Sequence, residues 1–386
     1  MRFIQADIIY PVHTSPVKNG LVVTDGKGTI LDILLTTEGI EETAIEKYSG
    51  SICPGFINTH CHLELSHLLG KLSQKRGLIH FAKEVMGERG KYSIEHMQEA
   101  MEKADKEMQA NGIVAVGDIS NVSYSFGVKA KSAIHYHTFI ELIGLNPANA
   151  DKILQAGAGL LEEAAAFRLP ASIVPHAPYS TSGEVMQKTA AWSKKYRLPL
   201  SIHNQESREE NSLFENKSGE YLELYKHLNI SIDYFEATGK SSLKSYLPSL
   251  EESHSVLLVH NTFSSTEDLA YAGNAKPTIW WCLCPNANLY IENKLPDVTA
   301  MLKKNCRITI GTDSLASNHA LSVAGELQVL QANFPSLTTE QLLTWATWNG
   351  AQFLQIEDQF GSLEKGKKPG LVLFDEKDFR VKKVLA

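Results

Sequence analysis

The sequence predicts an α/β protein, a (β/α)8 barrel of the TIM type over residues 54–355, with a small β domain made from residues 1–53 and 356–386. Three observations carry this. Eight short apolar or β-branched runs recur between Pro54 and Leu354, each ending in a polar residue and followed by a charged, helix-like stretch. Eight parallel units close a barrel, and the span suits that fold's usual length of about 250 residues plus insertions. Both ends of the chain instead read as β, which suggests that they pair into one small sheet. An open doubly wound sheet would normally have a glycine-rich turn after its first strand, and none is present.

At the N-terminus, "GLVVTDGKGTILDIL" sets Asp25-Gly26 and Gly28 between two apolar runs, a hairpin signal. The C-terminal "PGLVLFDEKDFRVKKVLA" reads as a short apolar strand with a charged return. The eight central strands are predicted at "PGFINTHCH", "GIVAVGDIS", "AIHYHTFIEL", "ASIVPHAPYS", "LPLSIHNQES", "SVLLVHNTF", "TIWWCLCPN" and "RITIGTDS". Between the first two, Ile94, Met97, Met101, Ala104 and Met108 recur at a helical period, and Gly112 marks the stop. "GEVMQKTAAWSKKYR" is helical by the same reasoning. The insertion at 68–92 has spaced glycines and both charge signs. It reads equally as a lid over the barrel mouth or as a helical excursion packed on the rim.

Charge and hydropathy narrow the function classes. Of 386 residues, 37 are basic and 44 acidic, a formal charge of −7, so no global basic field invites nucleic acid or anionic lipid. No segment approaches the roughly 20 apolar residues of a membrane helix. The first residues, "MRFIQADIIYPVH", are broken at Asp7 and lack a signal-like apolar core. The expectation is a soluble, cytoplasmic protein acting on a small molecule, with no nucleic-acid or membrane partner. Its five cysteines are expected to be free, buried and reduced.

Chemistry gathers at the predicted strand ends, where a β/α barrel keeps its function. These ends carry His60, His62, Asp118, Glu141, His176, His203, His260, Asn286 and Asp313. Alternation along the first strand puts Phe56, Asn58, His60 and His62 on one face, with Cys61 on the other as packing. Glu206 lies three residues after His203, an odd spacing. The strand must therefore end near His203 and turn through Asn204-Gln205 for both to reach the mouth. Singly, such histidines are more often satisfied core residues, and such an aspartate more often caps a helix. Together they form a nitrogen and carboxylate donor set suited to a divalent ion, Zn²⁺ or Fe²⁺. "HLE" at 62–64 mimics half of the nucleobase-deaminase signature, but its P-C-x-x-C half is missing from "CLCPN".

"PGFINTHCH", "HNQES", "LVHNTF", "CPNANL", "GTDSLASN", "WATWNGAQFL" and "GSLEKGKKPGLVLFD" together resemble the amidohydrolase superfamily, in its cytosine-deaminase-like and chlorohydrolase-type (ATZ/TRZ) branch. The resemblance spans nearly the whole chain. It implies one divalent ion, Zn²⁺ foremost, in a β/α barrel, with the two termini forming a β-sandwich. Carried over by position, it makes His60, His62, His203 and Asp313 ligands. Glu206 becomes the proton shuttle, His260 the residue orienting the attacking water, and Asp313 also a base. His176 matches a substrate-contacting histidine. Glu64 and Asn286 are further expected substrate contacts, each with a plain alternative, a rim carboxylate and a turn residue.

The fourth strand ends in His176 rather than a lysine, which favours one metal over two. The tail reads "GKKPGLVLFD", with Gly370 where the family usually has an acid. "HLELS" is similar to sequences grouped with aminodeoxyfutalosine deaminases. The expected activity is hydrolytic deamination of an amino-substituted heterocycle or nucleoside, and family habit suggests a homodimer or larger homo-oligomer. The alternatives are the same machinery cleaving an amide, formimino group or aryl chloride, or an inactive ligand-binding barrel.

Overall fold

All eight apolar runs form strands in the computed structural model, which describes residues 1–386. They are β1 (Phe56–Cys61), β2 (Ile113–Ser120), β3 (His135–Leu142), β4 (Ala171–Pro175), β5 (Pro199–Asn204), β6 (Ser255–His260), β7 (Thr278–Leu283) and β8 (Ile308–Ile310). Helical segments separate them, so each strand runs parallel to the next. Two four-stranded sheets result, ordered β4-β3-β2-β1 and β5-β6-β7-β8. Burial on both faces explains why these strands read as continuous apolar runs.

Hydrogen bonds also join the two sheets. Beside β4, the His176 carbonyl accepts from the His203 amide at 2.9 Å, and Ser172 Oγ donates to the Pro199 carbonyl at 3.0 Å. At the other junction, the His60 carbonyl accepts from the amides of Thr312 and Asp313 at 3.0 and 3.1 Å, and Cys61 bridges Asp313 in parallel. In register, Asn204 lies opposite His260 and Cys61 opposite Asp118, so the C-terminal strand ends are level. Gly311 permits the second junction. A Cβ there would lie 2.7 Å from Cys282 Sγ and 2.8 Å from His60 Cβ. Close packing thus requires a glycine at this position.

The predicted helices form at Ile94–Ala110 and Gly183–Tyr196. Ser93 caps the first by accepting from the His96 amide, and Met101, Ala104 and Met108 are buried. Ile94, at the free end of the stripe, is exposed. Gly112, at φ +78°, turns the chain into β2 where a Cβ would meet Val372 at 2.5 Å. The insertion forms the helix Leu78–Glu88 and a 3₁₀ turn at Arg89–Lys91.

The chain ends build two sheets, where their own residues suggested one and the resemblance a sandwich. A five-stranded sheet joins both termini in the order Val381–Val384, Leu371–Phe374, Ser51–Pro54, Ile8–Ile9 and Val17–Lys18. A four-stranded sheet is wholly N-terminal and contains the predicted hairpin, Leu21–Thr24 against Ile30–Leu34. Asp25 Oδ1 holds that turn by accepting from the amides of Lys27 and Thr29. Ile4, Val22, Ile52, Leu371 and Leu373 share one apolar cluster. The five cysteines are free; four are buried and Cys306 is partly exposed. No helix is long and apolar enough to cross a membrane.

Candidate active site

Three imidazole nitrogens converge at the level strand ends. His62 Nε2 lies 3.2 Å from His60 Nε2 and 3.3 Å from His203 Nε2. Asp313 Oδ1 lies 3.5 Å from His62 Nε2 and 3.7 Å from His60 Nε2. The His203 tautomer is fixed: its Nδ1–H donates to the His176 carbonyl at 2.8 Å, leaving a lone pair on Nε2. Burial, then the charge of His60, pushes His62 down to about 3, and burial likewise holds His203 well below its ordinary range. His60 is held up instead, because Asp313 outweighs burial. Facing lone pairs at such separations repel unless a cation lies between them. Tetrahedral coordination with metal–nitrogen bonds of about 2.0–2.1 Å sets two nitrogens about 3.3 Å apart, which matches this spacing. The donors present therefore fit a divalent ion.

Local backbone geometry aims these groups. Asp313 (φ 57°) and His260 (φ 73°) both hold left-handed conformations, as does Gln205 (φ 44°) between Asn204 and Glu206. Each costs a non-glycine residue on the order of 1–3 kcal/mol, a cost that recurs at functional sites. The expected break after His203 is thus a left-handed turn at Gln205. Glu210 holds it by accepting from the Gln205 and Glu206 amides at 2.9 and 3.3 Å. Ser207 in turn caps the Arg208–Asn216 helix by accepting from the Glu210 amide. Sequence reasoning passed over Glu210, although Ser207-x-x-Glu210 has capping-box spacing.

Glu206 is buried, with Oε1 3.6 Å from His260 Nε2. Burial, reinforced by the Asp313 charge, raises it well above the carboxylate range, which favours its protonated form. Asp313 moves oppositely: burial pushes it up, but the neighbouring His60, His62 and His260 hold it below the usual range. Two carboxyl groups whose environments push their pKa values apart suit acid–base work. Burial lowers His260 to about 4, so it is neutral. Its Nδ1–H donates to Asn288 Oδ1 at 2.9 Å, and Asn288 Nδ2 donates back to the His260 carbonyl at 3.3 Å. Nε2 is left as an acceptor aimed at the site.

The expected substrate contacts divide. His176 lines the cavity in front of the donors, with its Nδ1 paired to Ser180 Oγ. Asn286 does not line it; its amide donates to Glu326 Oε2 at 2.8 Å. The helix Pro285–Ile291 explains the miss, since two residues differ by about 200° around a helix axis. Asn288, on the opposite side, reaches His260. Glu64 also lies off the cavity wall. The chain leaves strand geometry after Cys61, so strand parity no longer applies, and Glu64 accepts from the Asn121 and Val122 amides at 3.1 and 3.2 Å. Burial pushes its carboxyl up to about 7.

Two other strand-end acids take separate roles. Asp118 accepts from the Leu63 amide at 2.8 Å and pairs with Lys129 Nζ at 2.5 Å, both side chains fully buried, which pins the turn after His62. Glu141 lines the cavity. Its Oε2 accepts from Asn121 Nδ2 at 2.9 Å, while its buried Oε1 has no hydrogen-bond partner and sits 3.6 Å from His203 Nδ1.

The chain is similar to several known proteins. An adenosine deaminase of Helicobacter pylori is 27% identical over 84% of this chain and 78% of its own length. An aminodeoxyfutalosine deaminase of Nitratiruptor is 27% identical over 86% of this chain and 83% of its own. In overall fold, the chain is similar to the crystal structure of Helicobacter pylori aminofutalosine deaminase in complex with methylthio-coformycin. The TM-score is 0.81 at 22% identity, covering 97% of this chain and 92% of the other. The amidohydrolase family model matches residues 51–386, and the chain belongs to that family.

Proposed function

We propose that this protein is a metal-dependent hydrolase that deaminates an amino-substituted heterocycle carried on a nucleoside, of the adenosine or aminodeoxyfutalosine kind. One observation carries the reading: three Nε2 lone pairs and the Asp313 carboxylate meet beside a buried Glu206 carboxyl. The names of the relatives support the same chemistry. In this proposal the two parallel sheets close as one eight-stranded barrel over 54–355, and residues 1–53 and 356–386 make a β-sandwich beside it.

His60, His62, His203 and Asp313 would hold one ion, and their donor set suits Zn²⁺. When bound, a divalent ion supplies Lewis acidity, lowering the pKa of a water from 15.7 to about 7. His260 Nε2 accepts a hydrogen from the attacking water and so orients it. Asp313 takes the proton that the water loses as its oxygen bonds to the sp² carbon bearing the amino group. Glu206 gives its proton to the adjacent ring nitrogen, which places the electron pair of the broken C=N bond there. The proton on Asp313 then passes to the amino group, the C–N bond breaks and ammonia leaves. Glu206 recovers a proton from the added hydroxyl as the carbonyl forms, and the ring nitrogen keeps the proton it was given. His176 faces the substrate.

Ammonia release from adenosine, aminodeoxyfutalosine, cytosine and an aminotriazine, measured with the zinc-loaded protein, tests the proposal. Release from the two purine nucleosides is expected. Release from none of the four would overturn it.

A further inference from the structure

The insertion at 68–92 supplies one wall of the cavity in front of the donor cluster, which has a volume of about 350 Å³. Leu78, Ile79, Phe81, Ala82, Val85 and Met86, all from its Leu78–Glu88 helix, line that cavity. The position of this helix therefore sets the shape of the site. Its first turn is held by the short helix Pro285–Ile291, the same one whose Asn288 orients His260.

Each helix end supplies what the other lacks. A helix leaves its last carbonyls and its first amides without partners of its own. The closing carbonyls of Tyr290 and Ile291 accept from the amides of Lys75 and Gly77 at 2.5 and 3.0 Å. Gly77, just before the Leu78–Glu88 helix, has no side chain with which to cap it. Glu292 takes that place: its Oε1 accepts from the Leu78 amide at 2.8 Å, although the two residues are 214 apart in the chain. A carboxylate there also meets the positive end of the helix dipole. The Tyr290 hydroxyl donates to the Leu72 carbonyl at 2.8 Å, and its ring packs in one apolar cluster with Leu78 and Ile291. Neither Tyr290 nor Glu292 lines the cavity.

We propose that Glu292 and Tyr290 are positioning residues that lock the insertion to the helix orienting His260, which makes this wall a fixed part of the site and not a mobile lid. Both act through the wall and touch no reacting atom. Asn288 keeps its own two hydrogen bonds to His260 when the lock is broken. The loss should therefore fall on affinity and spare the chemical step.

The test measures kcat and KM by ammonia release for the zinc-loaded wild type, Glu292→Ala, Glu292→Gln and Tyr290→Phe, on the substrate that the wild type deaminates. This readout rests on the deaminase reading above. Glu292→Ala should raise KM by about 10–100-fold, the worth of a hydrogen bond to a charged group, with kcat little changed. Glu292→Gln keeps an oxygen that accepts from the Leu78 amide, so its KM should stay within about fivefold of wild type. Tyr290→Phe loses one neutral bond while its ring stays packed, and should raise KM by about threefold. It keeps the test decisive if the alanine variant fails to fold. A merely structural role would lower the active fraction, and so kcat, and leave KM alone. Wild-type KM in Glu292→Ala and Tyr290→Phe, or a rise as large in Glu292→Gln as in Glu292→Ala, would overturn the proposal and leave the deaminase reading standing. If the wild type releases no ammonia, the deaminase reading falls and the lock is judged by trypsin, which cuts after the exposed Lys75 and Arg76. Faster cleavage there in Glu292→Ala than in wild type and Glu292→Gln supports the lock, and equal rates overturn it.

Discussion

Burial favours the protonated form of Glu206, and removing its ability to exchange a proton is the cleanest change at the residue scale. Glu206→Gln should hold zinc with wild-type stoichiometry while kcat falls by about 10²–10⁴-fold, the range for general acid–base groups. Unchanged turnover, measured by ammonia release, would remove Glu206 from the chemistry. Asn288 acts through His260, whose Nδ1–H it accepts. Asn288→Ala should lower kcat by about 10–100-fold with metal content unchanged, as loss of an outer hydrogen-bond partner does at metal-site histidines. Wild-type kcat in that variant would show that the His260 tautomer needs no such support. These two residues also mark what could be read from sequence. Glu206 was legible because its spacing from His203 demanded a break in the strand. Asn288 was not, because choosing it over Asn286 requires the helical phase after Pro285.

At the scale of elements, the strands were the legible part. Buried parallel strands need apolar residues on both faces, and that requirement writes itself into the sequence as the eight runs. Connections between distant elements leave no such trace. The Asp118–Lys129 pair joins β2 to the Phe126–Lys131 helix while also fixing the turn after His62, and neither residue is adjacent in sequence to what it holds. Lys129→Met would strand a buried carboxylate, so urea unfolding should show a loss of about 3–5 kcal/mol. A near-neutral change would mean that the pair does not secure this corner.

The helix Val323–Asn333 carries a second buried acid, Glu326, which accepts from the Asn286 amide and from Asn318 Nδ2. Burial raises it from an ordinary value of 4.5 to about 8. Between those values the folded protein keeps a proton that the unfolded chain has released. Its contribution to stability is therefore fully present below pH 4.5, declines as pH rises, and is gone above pH 8. Unfolding free energies measured from pH 5 to 8.5 should fall in the wild type and fall less steeply in Glu326→Gln. Equal slopes would contradict this reading of Glu326.

Across the whole molecule, the site exists only because distant parts of the chain meet. His60 and Asp313 are brought together by hydrogen bonds between β1 and the chain after β8, and His203 is set by the carbonyl that follows β4. The ligand types were visible in the sequence as residues at strand ends, whereas their mutual distances follow from the register of strands hundreds of residues apart. Of the second terminal sheet only the hairpin was legible from its own residues, since the pairing of the Arg2–Gln5 strand with Ile45–Lys47 is parallel and has no hairpin to announce it.

The account depends on four side chains sharing one cation. Diffraction from crystals of the zinc-loaded protein, recorded at the zinc absorption edge, tests this directly. One anomalous peak is expected, about 2.0–2.2 Å from Nε2 of His60, His62 and His203 and from a carboxylate oxygen of Asp313. A map with no peak among those atoms, or with its zinc bound elsewhere on the chain, would contradict it.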